Sequence, residues 1–278
     1  MKYCLRYTNI TTKLAKADEI TIKYISDKGL VKFIEKYNTQ RINLLVDPAQ
    51  FEDIEIKKLA AIRSTYPDYR FAVALAAFNK ELIQKLKASN IPFYIATPCK
   101  NWEEFHILIK EGVSDINLSG PLAFELSKVK RVLESLDQKP QIRVTPNKVE
   151  NLNPNMNSLV GFFIRPEDVV LYEDYIDVLD FEGIDMQDIF FGIYAERKRF
   201  IGRLNQCVYG IKEDVDNGGL ISLFGERRIN CGRQCLEGGS CNRCFNLAEL
   251  SVPMGSRFRN HILNVINEEI AKEESNKE

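Results

Sequence analysis

The sequence predicts an α/β fold, a (β/α)8 TIM-type barrel followed by a helical and cysteine-rich extension. Three observations point there. Short apolar runs alternate with amphipathic segments from about residue 20 to 182. The segments between them carry apolar residues at three- and four-residue spacing, which is the period of a helix with one buried face. Eight such runs are found, the number that closes a parallel barrel with helices outside.

The strand candidates, in order, are Glu19–Tyr24, Ile42–Val46, Phe71–Leu75, Phe93–Ala96, Asp115–Leu118, Ile142–Thr145, Leu159–Ile164 and Asp177–Asp180. The helices expected between them are Lys28–Tyr37, Asp53–Ser64, Lys80–Ala88, Trp102–Lys110, Pro121–Leu136 and Pro166–Tyr175. Start signals precede several: Asp47-Pro48, Asn79, Asn101, Gly120-Pro121 and Arg165-Pro166. Pro146 to Ser158 is rich in Asn and Pro and reads as a loop where a helix is due. An open doubly wound sheet is the alternative, but no Gly-rich phosphate loop follows the first strand.

Residues 1–184 are therefore read as the barrel and residues 185–278 as the extension. The extension is expected to hold one long helix over Asp185–Tyr209, a cysteine-rich segment, and a closing helix from about Gly255 to Lys272.

With 278 residues and 45% hydrophobic content, the chain can bury a large core. A net charge of −1 argues against a globally basic nucleic-acid binder. Charge is nonetheless uneven. From about Glu150 to Glu196 acids dominate and Arg165 is almost the only cation, whereas arginines predominate from Arg197 to Arg259. The first residues show no apolar run after their cations, so no signal peptide is expected. No apolar stretch approaches the roughly 20 residues that span a bilayer. A cytoplasmic protein in a reducing compartment, with no membrane association, is the expectation.

The strongest chemical signal is Cys231-x₃-Cys235-x₅-Cys241-x₂-Cys244. Four of the seven cysteines crowd into one short stretch, with Gly232, Gly238 and Gly239 between them to let the backbone wrap one centre. Thiolates hold zinc or an iron–sulfur cluster, and reducing conditions disfavour disulfides. The spacing is neither a paired-CxxC zinc ribbon nor the ferredoxin run, so a [4Fe-4S] cluster and zinc both remain open. Zinc with four protein thiolates would be structural, since it leaves no open coordination position. Arg227, Arg228, Arg233 and Arg243 flank the thiolates and either offset their charge, track a phosphate backbone, or form a solvated face.

In barrels of this class the active site lies at the carboxyl ends of the strands. The sequence places Asp47, Thr97, Cys99, Asn117, Ser119, Thr145, Asn147, Arg165, Glu167, Asp180 and Glu182 there. Of these, Asp47, Asn117 and Ser119 are equally well read as helix caps. Arg165 ends an apolar run and is expected to face Asp180 or Glu182, either as a bidentate anion ligand or as a rim ion pair. Asp180 and Glu182, two apart on one strand, share a face and suit acid–base work or a hard metal. Cys99 could act as a nucleophile, but the histidines are only His106 and His261, and His106 belongs to the following helix.

The run Ile107-Leu108-Ile109-Lys110-Glu111-Gly112-Val113-Ser114-Asp115-Ile116-Asn117-Leu118-Ser119-Gly120-Pro121-Leu122-Ala123-Phe124-Glu125-Leu126 resembles the middle of the collagenase-like peptidase family. That family includes accessory proteins of ubiquinone synthesis and of RNA hydroxylation. Several of its members carry a four-cysteine iron–sulfur cluster on a barrel, with a Cys-x₃-Cys pair similar to Cys231 and Cys235. The family spreads its cysteines more widely than this chain does. The resemblance therefore implies a barrel and a cluster, with an RNA-linked or small quinone-like substrate, and does not imply peptidase chemistry. Two functional classes follow: a redox or modification enzyme, or a non-enzymatic scaffold whose Arg-rich metal knuckle binds nucleic acid or a protein partner.

Overall fold

A computed structural model describes residues 1–7, 17–24, 28–37, 39–151, 158–182 and 187–218. Eight parallel strands close into a barrel in chain order: β1 (Lys2–Tyr7), β2 (Glu19–Lys23), β3 (Arg41–Val46), β4 (Phe71–Leu75), β5 (Phe93–Cys99), β6 (Asp115–Leu118), β7 (Gln141–Val144) and β8 (Val178–Phe181). The helices are α1 (Lys28–Lys36), α2 (Asp53–Thr65), α3 (Lys80–Ala88), α4 (Trp102–Lys110), α5 (Gly120–Phe124), α6 (Leu126–Glu134) and α7 (Gln187–Glu196).

The barrel's stagger follows from its register. Climbing one residue at each strand-to-strand step passes from Cys4 through Ile20, Asn43, Val73, Tyr94, Ile116, Arg143 and Leu179, and returns to Cys4. One residue at each of the eight steps is the shear of a TIM barrel. On this circuit Ile20, Val73, Ile116 and Leu179 join the apolar core that lies between the sheet and the helices. Side chains alternate along a strand, so the intervening Cys4, Asn43, Tyr94 and Arg143 form one layer of the barrel interior. The layer toward the amino ends is Glu19, Ala72, Asp115 and Val178. The layer above is Thr21, Ala74, Asn117 and Asp180.

An interior of this class is ordinarily packed with Val, Ile and Leu. This one is largely polar. Arg143, wholly buried, donates from Nε to Asp115 Oδ1 at 2.9 Å and from Nη2 to Glu19 across the barrel. Arg41 reaches the same two carboxylates, at 2.9 Å from Asp115 and 3.7 Å from Glu19. The Tyr94 ring lies against the Arg143 guanidinium, 4.5 Å from its centroid.

Local signals explain the helices. Asn79 caps α3 by accepting from Leu82 N–H, and Asn101 caps α4 by accepting from Glu104 N–H, each at 2.9 Å. The single helix expected over 121–136 is two, α5 and α6, divided at Glu125, whose carboxylate accepts the Trp102 indole N–H at 2.7 Å.

Three other expectations change. Leu159–Ile164 is not a barrel strand: Ser158–Val160 is a turn of 3-10 helix, and Phe162 pairs with Glu150 in an isolated bridge. The eighth strand is instead β1. Pro166–Tyr172 is also 3-10 helix. The long helix expected over 185–209 stops at Glu196, because Arg197 adopts the left-handed conformation (φ 52°) that ends helices. Its Tyr194 is buried in the barrel's main core, stacked edge-on against Phe181, so α7 is the barrel's last helix. The chain after it forms a second apolar cluster in which Phe200, Leu204, Val208 and Ile211 cover Leu159 and Phe163. The expected helix at 255–272 lies outside the described residues.

Burial alone would raise the Asp115 carboxyl, but Arg143 and Arg41 outweigh it and hold it below the usual range. A lowered carboxyl contributes stability that is present above its unfolded pKa of about 3.9 and lost as pH falls through the folded value. Acid below about pH 4 is therefore expected to weaken the fold, and Asp115→Asn to flatten that dependence in urea titrations. Arg143→Met, which leaves two buried carboxylates with Arg41 alone, should cost about 3–5 kcal/mol by the same measurement.

Candidate active site at the carboxyl end of the barrel

The next interior layer toward the carboxyl ends is Arg6, Leu45, Ala96 and Thr145, by the same register. It forms the floor of the mouth. Arg6 is its charged member, with its side chain 22% exposed. Asp180, fully buried beneath it, accepts from Arg6 Nε at 3.0 Å to both oxygens and from Nη2 at 2.7 Å. Glu182 accepts from Nη1 at 3.1 Å. Lys148 Nζ closes on the other Glu182 oxygen at 3.1 Å. Asn147 fixes the strand end, donating to Glu182 O at 2.8 Å and accepting from Glu182 N–H at 3.3 Å.

Arg6 therefore occupies the place expected for Arg165. It does so because β1, not residues 159–164, lies beside β8. Arg165 pairs with its own 3-10 helix instead, donating to Asp168 at 2.6 and 2.9 Å and lying 3.5 Å from Glu167. Glu167 in turn accepts from Phe200 N–H and Asn217 Nδ2, which ties the chain after α7 to this segment. A bridge between Lys148 and Tyr209 brings that chain to the mouth's rim.

Asp180 and Glu182 do share a face, as their spacing requires. Both are engaged by Arg6, an arrangement that orients a cation rather than leaving two carboxylates to shuttle a proton. Asn117 faces the barrel interior and does not cap a helix; its Nδ2 donates to Ala96 O at 2.9 Å. Ser119 holds the cap position of α5 without a side-chain bond, and Asp47 Oδ1 accepts from Ala49 N–H at 3.0 Å.

The register of β5 against β6 shifts between Ile95 and Cys99, a bulge that carries Thr97 to the surface, where its hydroxyl donates to Ala76 O. Past the bulge, Cys99 turns into the helix-facing core. Burial, aided by Glu104, pushes its thiol up to about 12. His106 stacks against Trp102 and Phe105 on the outer ring. Among the described residues Cys99 Sγ donates to Asn101 O and makes no bond to a histidine, and His261 lies outside them.

The mouth is thus a preorganised cation on a half-apolar floor. Arginine carries five N–H donors, and Arg6 commits Nε–H and one N–H on each terminal nitrogen to Asp180 and Glu182. The remaining ones suit a carboxylate or phosphate oxygen. Sequence reasoning missed Arg6, although Tyr3, Leu5 and Tyr7 alternating with Lys2, Cys4 and Arg6 is a strand signal.

Among the described residues no group of three or more His, Cys, Asp or Glu is placed to hold a metal ion. Cys4, Cys99 and Cys207 are separate buried thiols. Cys231, Cys235, Cys241 and Cys244 lie outside the described residues. No described helix is long and apolar enough to cross a membrane. No family model and no curated protein matches the chain.

Burial is also the chief cause that lifts Cys4 and Cys207 to about 12. All three thiols are therefore expected to resist iodoacetamide at pH 8 in the folded protein and to react on unfolding, as peptide mass mapping would read.

Proposed function

We propose that the protein is a cytoplasmic barrel enzyme of the collagenase-like peptidase type, which carries a Cys-ligated metal centre and performs redox or modification chemistry on a small-molecule or RNA-linked substrate. The observation that supports an enzyme is Arg6 at the mouth, held from behind by a buried Asp180. A cation fixed by buried partners at the carboxyl end of a barrel is costly to build and suited to hold an anionic group in one orientation. Arg6 binds that group, Asp180 and Glu182 set its angle, and Leu45 with Ala96 receives an apolar body.

Cys231, Cys235, Cys241 and Cys244 are the residues that would hold the metal centre. Four thiolates fit either a [4Fe-4S] cluster or zinc. A cluster would supply electron transfer, and zinc a structural clamp. The resemblance around residues 107–126 favours iron–sulfur.

Anaerobic purification with metal analysis and a visible spectrum tests the centre. Iron with absorbance near about 400 nm that bleaches under dithionite supports the cluster. Stoichiometric zinc with salt-sensitive RNA binding instead supports the scaffold reading. Cys235→Ala should lose the metal while the barrel's urea midpoint is kept, because metal binding in such segments drives local folding. Unchanged metal content would overturn the assignment.

A further inference from the structure

We propose that Asn117 is the second recognition group of the mouth, accepting a hydrogen bond from an N–H or O–H on the ligand whose anionic end Arg6 holds. The inference rests on the mouth being the binding site and names its ligand class: a small anion that also carries a hydrogen-bond donor.

The orientation of Asn117 is fixed by chemistry. Its neighbours Ile116 and Leu118 belong to the helix-facing core, so strand alternation turns Asn117 to the barrel interior. Its amide nitrogen donates to Ala96 O at 2.9 Å, which determines which end of the amide is oxygen. Oδ1 is then left buried without a hydrogen-bond partner among the described residues, on a residue only 1% exposed. A buried acceptor left unpaired costs about as much as a hydrogen bond lost, so such an atom calls for an explanation.

Position supplies one. Tyr94 divides the interior, with the Arg143 network beneath it. Asn117 lies in the layer above Tyr94, directly below the floor made by Ala96 and Thr145. By register the Ala96 methyl and the Thr145 hydroxyl lie between Asn117 and the mouth, so a ligand reaches Oδ1 by displacing one of these small groups. Arg6 stands on β1 and Asn117 on β6, on different sides of the barrel. A ligand that meets both must reach across the floor, anion at one end and donor at the other, with its body over Leu45 and Ala96.

The probes are glutaramate and monomethyl glutarate, both carboxylate monoanions, of which only the first carries amide N–H donors. Calorimetric titration of the full chain is expected to show glutaramate bound about five- to a hundredfold more tightly. Asn117→Leu should remove that preference and leave the ester's affinity within about twofold, while Asn117→Ser serves if leucine prevents folding. Equal binding of the two probes to the natural chain, or a preference that survives in Asn117→Leu, overturns the proposal. Equal binding that is lost in Arg6→Gln would leave the mouth as the site and remove only the role of Asn117. No binding of either probe up to about 20 mM would defeat both.

Discussion

The contact between Arg143 and the two carboxylates Glu19 and Asp115 is the interaction on which the barrel depends. It joins β7 to β2 and β6 through the interior, where none of the three side chains meets water. Charges taken out of water must be matched by one another or the fold does not form. The match ties down the register as well. A slip of one residue in β7 would bring Ile142 inside and force Arg143 into the apolar layer under the helices. Two independent demands therefore specify one stagger: apolar side chains outside the sheet and mutually neutralising charges within it. Arg41 and Tyr94 reinforce the inner demand, one by sharing the carboxylates and the other by covering the guanidinium.

Much of this architecture was legible because β3 to β8 present their apolar residues to helices whose periodicity is plain. The two departures among the strands have one physical cause each. Leu159–Ile164 reads as a buried parallel strand because it is apolar throughout. It is apolar because it is wedged between two cores: Phe162 and Ile164 belong to the main one, Leu159 and Phe163 to the second. Burial on both faces produces the same sequence pattern in an irregular segment as in a strand. β1 was passed over for the opposite reason. Its inner face is Cys4 and Arg6, which join the polar groups of the interior, and a strand with that alternation does not look like a barrel stave. The site inherited the second error, since Arg6 came into view only with β1.

Burial of charge inside the barrel is graded along its axis, with Tyr94 between two networks. Below Tyr94 Arg143, Glu19 and Asp115 are closed in by one another, and Arg41 beside them is partly exposed. Above it, Asp180 is still fully buried, Arg6 is partly exposed, and Glu182 and Lys148 reach solvent. The buried half holds Tyr94 in place, Tyr94 underlies Asp180, and Asp180 fixes Arg6, so the angle of the exposed guanidinium is set by contacts that solvent does not compete for.

The same gradient explains why Arg6, rather than the more deeply placed Arg143, is the cation assigned to a ligand. Both are held by two carboxylates. Arg143 has its Nε and Nη2 drawn toward Glu19 and Asp115, and its face is against Tyr94, so an approaching anion would have to part that stack and expose two carboxylates. Arg6 holds its carboxylates through Nε–H and one N–H on each terminal nitrogen, so two N–H groups are left for an anion without parting either pair. An anion on Arg6 completes a shell that is already built, whereas one on Arg143 would have to dismantle it. The difference in what each arginine must give up, more than the difference in exposure, is what suits Arg6 to an incoming anion and Arg143 to a structural role.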